Sequence, residues 1–142
     1  MAVIRATSED IKLLARLMRA EAVSDGNLAM LMVGNVGVNR VLANCLDFEG
    51  IRTIPQMVYQ RPGGFEATLY GFFYRRARQH DINLARKVIQ GQRYYPASNS
   101  LWFFEPSGEC PAQWFDQWNV GRYKSFCYYA PAESECPHVY NG

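Results

Sequence analysis

Residues 28–42 constrain the fold of this chain more than any other segment. They run Leu28-Ala29-Met30-Leu31-Met32-Val33-Gly34-Asn35-Val36-Gly37-Val38-Asn39-Arg40-Val41-Leu42, apolar nearly all the way round a helix. A helix without a polar face has to be surrounded by protein, so the rest of the chain must wrap it. Gly34, Asn35 and Gly37 interrupt the run and leave it too short to span a bilayer. Each of the two glycines weakens a helix by roughly 1 kcal/mol but permits close approach of a second backbone. The preceding helix is the expected partner. Asn35 and Asn39 stand four apart and share a face. They are either satisfied core amides or substrate contacts, and the sequence leaves both readings open.

That preceding helix starts well. Thr7 and Ser8 are N-cap candidates, Thr7 and Asp10 have capping-box spacing, and the helix should run to about Val23. Ile11, Leu14, Leu17 and Met18 recur as one side of a helix does. Three residues after Met18 the same stripe reaches Glu21. A carboxylate on a buried stripe is desolvated, which raises its pKa and suits a general acid at neutral pH. The bland alternative is a structural ion pair with Arg40 or Arg52. Residues 24–27, Ser-Asp-Gly-Asn, form a turn before the apolar helix.

Further on, residues 53–59 read as a short helix with Pro55 in its first turn. Arg61-Pro62-Gly63-Gly64 is a loop, followed by Phe65 and Glu66. Asp81 is read as the cap of a helix through Gln90, ended by Gly91. The grammar then changes. Residues 100–104 and 123–129 are rich in aromatic residues and bounded by Pro, Ser and Gly, as strands of a small antiparallel sheet would be. The expectation is a single α+β domain over residues 1–142, helical first and with a sheet formed by the C-terminal part.

The chemistry on offer is narrow. A formal net charge of +2 is too small to suggest a nucleic acid partner, and the cluster Arg75, Arg76, Arg78 reads as a solvated face. There is no Gly-x-Ser-x-Gly, phosphate-binding loop, dinucleotide fingerprint or His-Glu-x-x-His, and the two histidines, His80 and His138, supply a zinc amidase or a Ser-His-Asp hydrolase poorly. Cys110, Cys127, Cys136 and His138 lack the close pairs of a structural zinc site, so no metal ligands are assigned. One or two disulfides are expected, with Cys110–Cys127 the favoured pair because each adjoins an expected strand. Residues 1–10 hold no export signal, so the thiols should be reduced at synthesis and pair later. What remains is acid chemistry by carboxylates, with Glu21 as the acid and Glu66 as the candidate second carboxylate. Aromatic residues make up 14% of the chain. Their faces are good platforms for sugar rings, and Phe65, Trp102 and Phe103 are expected to floor a groove.

An ordered set of residues carries a resemblance. It begins Leu14-Ala15-Arg16-Leu17-Met18-Arg19-Ala20-Glu21-Ala22 and Val33-Gly34-Asn35-Val36-Gly37-Val38-Asn39-Arg40-Val41. It continues through Tyr59-Gln60, Phe65-Glu66-Ala67 and Ser100-Leu101-Trp102-Phe103-Phe104-Glu105-Pro106. Cys110-Pro111-Ala112-Gln113-Trp114 and residues 122–129 complete it. This set resembles the SleB/CwlJ cell wall hydrolases, the cortex-lytic enzymes of germinating spores, over nearly the whole chain. With neither an export signal nor a separate peptidoglycan-binding domain, it resembles the CwlJ branch more than the SleB branch.

The resemblance implies a lysozyme-like fold, a spore cortex peptidoglycan substrate and one essential Glu, which falls on Glu21. For the SleB branch it implies lytic transglycosylation, closing an anhydro ring on muramic acid or its δ-lactam. SleB-type proteins usually carry a smaller polar residue where this chain has Glu66, which bears on the bond that the CwlJ branch cleaves. The resemblance further implies deposition in the spore coat at the cortex surface, a coat protein partner of the GerQ type, and activation by calcium dipicolinate, with no other cofactor. Phe65, Glu66, Trp102, Phe103, Asn39 and Gln60 are the substrate-binding candidates. The rival expectations are an amidase acting between muramic acid and its peptide, and an inert coat or cell wall binding module.

Overall fold

The computed structural model describes residues 2–62 and 64–141; Gly63 of the expected loop lies outside them. Helix α1 spans Ser8–Ala22. Thr7 caps it: its hydroxyl accepts from the Asp10 N–H at 3.1 Å while the Asp10 carboxylate accepts from the Thr7 N–H at 3.0 Å. The chain turns through a short 3-10 helix, Val23–Asp25, and enters α2, Asn27–Ala43. From Ala29 to Val41 every residue of α2 is buried, as its uniform apolarity demands. The expected close approach is present. A Cβ on Gly34 would meet Met18 of α1 at 3.0 Å, and one on Gly37 would meet Leu14 at 3.5 Å.

Helix α3, Ile54–Val58, carries the expected Pro in its first turn and a second capping box, Thr53 with Gln56. Two 3-10 helices, Glu66–Leu69 and Gly71–Tyr74, lead to α4, Gln79–Ile89. This helix begins two residues before Asp81, which corrects the expected cap. Asp81 instead sits inside the first turn and reaches back to accept from the Arg78 N–H at 3.3 Å. The difference has a physical reason: Asp81 is fully buried and shared between two arginines. Arg78 approaches it at 2.7 Å and Arg19 of α1 at 3.6 Å. Arg19 also donates to the carbonyls of Arg75 and Arg76, both at 2.6 Å. This network ties the C-terminal half of α1 to α4.

Four antiparallel strands follow: β1 Trp102–Phe104, β2 Gln113–Trp114, β3 Gln117–Tyr123 and β4 Phe126–Ala130, in the order β1-β4-β3-β2. Residues 123–129, expected as one strand, straddle the β3–β4 turn instead. Lys124 takes a left-handed conformation there (φ 52°) and Tyr123 pairs with Phe126. Helix α5, Pro137–Asn141, closes the chain against a second, smaller apolar cluster that holds Phe48, Leu101 and Val139. The α+β layout, helices first and sheet late, is the one expected.

Two disulfides are formed, the expected Cys110–Cys127 and a longer Cys45–Cys136 that spans 91 residues of sequence. In the chain-entropy picture a loop of 17 residues is worth about 3 kcal/mol and the longer one about 4.5 kcal/mol. Alkylation of the mature protein under denaturing conditions should therefore modify no cysteine before reduction and all four after it. Thiols reactive without reductant would contradict this pairing.

The buried Asp81 yields a second expectation. Burial pushes its carboxyl pKa up, but hydrogen bonds and charge from Arg78, aided by Arg19, outweigh burial and hold it below the ordinary range. A depressed carboxyl pKa contributes stability that is present above the ordinary Asp range and is lost as pH falls through the lowered value. Asp81→Asn leaves Arg19 buried without its counter-charge. It should cost about 3 kcal/mol at pH 7, and the gap to wild type should narrow in acid. Denaturant titrations of both proteins across pH test this, and equal stabilities at neutral pH would refute it.

Candidate active site

A groove of about 770 Å³ runs between the helices and the sheet. Its helical side carries Glu21 and Arg40, with Asp47 and Phe48 from the segment after α2. The loop around Phe65 and Glu66 forms one border. Trp102, Phe103, Phe104 and Glu105 run along the sheet side, and Trp114, Phe115 and Gln117 come from the β2–β3 hairpin.

Glu21 is the penultimate residue of α1 and is half-buried. Its position follows from the stripe: Leu14, Leu17 and Met18 are buried against the core, and the next turn carries Glu21 to the place where the core opens. Desolvation pushes its carboxyl above the ordinary Glu value, and the Glu66 carboxylate adds to the rise. The Ala67 backbone N–H, which donates to it, and the Arg40 charge act the other way without cancelling the rise. The C-terminal end of a helix is also the negative end of its dipole, a poor seat for an anion.

Arg40, named from the sequence as an alternative partner for Glu21, is buried in the same groove. Its Nε donates to the Leu101 carbonyl at 2.8 Å, and its guanidinium lies 4.8 Å from the Phe48 ring centre and 4.4 Å from that of Phe65. Burial pushes its pKa down to about 10, with Glu21 and Asp47 opposing. It is therefore a fixed cation throughout the neutral range.

Phe65, Glu66, Trp102 and Phe103 all line the groove. Successive strand residues face opposite ways, but β1 is an edge strand, so Trp102 and Phe103 both reach it. They do so from different packing. Trp102 leans on Phe48 at 5.8 Å, whereas Phe103 contacts Phe65, Phe126 and Tyr128 at 6.2, 5.7 and 6.0 Å. Neither ring belongs wholly to the core: Trp102 and Phe103 are both half-buried.

Two candidates have other roles. Asn39, 1% exposed, gives its amide to the carbonyls of Ala97, Ser98 and Ser100 at 3.3, 3.2 and 2.9 Å. It is a core amide and not a substrate contact, which closes the choice the sequence left open. Asn35 behaves likewise, donating to the Gln92 carbonyl at 2.8 Å and accepting from the Tyr94 N–H at 2.7 Å. Gln60 does not line the groove; it donates to the Asp47 carbonyl at 2.7 Å and so steadies a segment that does. Sequence reasoning missed Asp47, Phe48 and Phe115, and it quoted Trp114 within a motif of the resemblance without naming it as a site residue. Among the described residues no three His, Cys, Asp or Glu side chains form a group that could hold a metal ion. None of the helices in the described residues is long and apolar enough to cross a membrane.

Comparison with known proteins agrees with this arrangement. Residues 24–129 match the family model described as Cell Wall Hydrolase. The cell wall hydrolase CwlJ of Oceanobacillus iheyensis is 66% identical over 140 residues, covering 99% of each chain. CwlJ of Bacillus subtilis is 57% identical over 141 residues, again covering 99% of each. The crystal structure of the catalytic domain of the Bacillus cereus SleB protein superimposes with a TM-score of 0.68 at 21% identity, covering 88% of this chain and 92% of that one. The chain thus has the lysozyme-like fold of that domain and belongs to the cell wall hydrolase family.

Proposed function

We propose that this protein cleaves the glycan strands of spore cortex peptidoglycan at the glycosidic bond of muramic acid or its δ-lactam, with Glu21 as general acid. The observation that carries the reading is the seat of Glu21, a carboxyl whose burial favours the protonated form, in an open groove lined by rings. Aromatic rings pair with the apolar faces of sugars, and an acid among them is placed for a glycosidic oxygen. The cell wall hydrolase names of the relatives agree with a cell wall polymer as substrate. The reading goes with action at the outer surface of the cortex, beneath a coat in which a GerQ-type protein holds the enzyme.

Glu21 gives its proton to the glycosidic oxygen as the C1–O bond breaks, and positive charge builds up on C1 and the ring oxygen. Glu66, electrostatically coupled to Glu21, stabilises that charge. The ionised Glu21 then takes the proton of the muramoyl C6 hydroxyl, whose oxygen closes on C1 to give an anhydro end. Arg40 remains charged throughout and offsets the carboxylate that Glu21 becomes. The coupling of the two glutamates also favours a second reading. In it, Glu66 activates a water or attacks C1 itself, as in two-carboxylate muramidases, and the product has a reducing end.

Glu21→Gln keeps the shape and removes the proton. It should lower cortex lysis about 10²-fold or more without unfolding the protein. The sign of its stability effect is fixed by the raised pKa. The native state holds the proton more tightly than the unfolded chain, so ionisation of Glu21 becomes a cost as pH rises from the ordinary Glu range through the raised value. The Gln variant should therefore melt higher than wild type at neutral pH, and the gap should close in acid. Wild-type lysis by this variant, or a lower melting temperature at neutral pH, would sink the assignment of Glu21.

Glu66→Gln is expected to retain partial activity and to leave the anhydro ends unchanged. End-group analysis of digested cortex decides the point: reducing ends from wild type, together with complete loss in Glu66→Gln, would favour the two-carboxylate muramidase.

A further inference from the structure

The β2–β3 hairpin holds a residue that the fold itself does not explain. Trp114 pairs with Gln117, so the turn consists of Phe115 and Asp116 alone, both left-handed at φ 50° and 66°. Two-residue hairpin turns of this kind favour Asn-Gly or Asp-Gly, because positive φ crowds a side chain. A bulky aromatic is a poor choice there. Phe115 is also 82% exposed, more than any other large apolar side chain among the described residues. It is costly twice over, in backbone conformation and in hydrated apolar surface, and strain of this sort collects at functional positions.

The surroundings say what that function is. Phe115 lines the groove, and its ring lies 5.2 Å from Trp114, which stacks on Phe104 at 4.4 Å. The rings continue the aromatic face of the groove from β1 out to the hairpin tip. The base of the hairpin is held firmly. Cys110 is bonded to Cys127 of β4, the Pro111 carbonyl accepts from the Tyr129 hydroxyl at 2.8 Å, and the Ala112 carbonyl accepts from the Asn119 N–H at 2.9 Å. Gln117 lines the same end of the groove, and its side-chain amide donates to the Phe115 carbonyl at 3.4 Å, so a stacking face and a hydrogen-bonding group stand together at the rim, which is the chemistry that recognises a pyranose ring. The geometry points to Phe115 as a sugar-stacking residue: it holds a pyranose ring of the glycan strand at the hairpin end of the groove, away from the bond that Glu21 protonates. This inference rests on the glycan reading of the groove.

Binding is best measured in the Glu21→Gln protein, which should hold strands without cutting them. The probe is a set of soluble glycan strands released from cortex peptidoglycan. Adding Phe115→Asn, a residue that tolerates the left-handed conformation, should weaken binding about tenfold, as loss of one buried ring would. The melting temperature should stay level or rise, because the strain is relieved. Phe115→Trp should restore most of the affinity. In the otherwise wild-type enzyme, Phe115→Asn should raise KM more than it lowers kcat. Unchanged affinity in the Asn variant, or a melting temperature that falls with the affinity, would overturn the role of Phe115 alone. Failure of the Glu21→Gln protein itself to bind the strands would overturn the glycan reading and this inference with it.

Discussion

The adjoining side chains of Asn39 and Arg40 decide where the two walls of the groove meet. Both leave the buried helix α2 and take hold of the chain at residues 97–101: Asn39 through three carbonyls, Arg40 through that of Leu101. These residues lead directly into β1, so the ring-bearing wall hangs from α2 by charge-assisted and amide hydrogen bonds in a dry interior, where such bonds are costly to leave unmade. The opposite side of the groove is set by the same helix. Gly34 and Gly37 admit Met18 and Leu14 of α1, and Glu21 follows one turn later. Glu21 and the rings thus share one reference element, and a shift of α2 would move both.

Buried charge is used for position on both sides. Arg19 stands two residues before Glu21 and is fixed by Asp81 and by two carbonyls, which keeps the end of α1 from fraying at Glu21. Arg40 is held between two aromatic faces. In the role proposed for it, Glu21 has to be protonated before the reaction and tolerable as an anion after it. Desolvation serves the first need and the nearby guanidinium the second, so the carboxyl is raised but not stranded.

The helical half was legible in the sequence because its signals are local. The capping box at Thr7, Pro55 in the first turn of α3, the stripe ending at Glu21 and the uniform apolarity of α2 each state a conformation within one or two turns of chain. The sheet was half legible. Aromatic runs marked β1 and β4, but the β2–β3 turn uses Phe115 and Asp116, and the β3–β4 turn centres on Lys124 and Ser125. Neither carries the Gly or Asn by which hairpins are recognised. Asn39 was undecidable because a satisfied amide and a ligand-binding amide look alike until the carbonyls opposite them are known. Cys45–Cys136 lay beyond reach for a similar reason: its ends are 91 residues apart and only the fold brings them together.

The placement of the disulfides divides the molecule in a way that matters for its chemistry. The main core, which packs α1 against α2 and so seats Glu21, contains no cysteine. One cystine lies in the smaller cluster under Leu101 and Phe48, and the other joins the approach to β2 to the centre of the sheet. Glu21 is therefore positioned by apolar packing and by the Arg19–Asp81 network, neither of which needs a disulfide, so its seat forms in a reducing compartment as readily as in an oxidising one. The ring-bearing wall is the part that gains rigidity on oxidation, because its strands are short and its hairpin has few apolar contacts of its own. On the function proposed above, a glycan strand lying along that wall would bind a surface whose order was fixed before the strand arrived, which lowers the entropic cost of holding a polymer in register with Glu21.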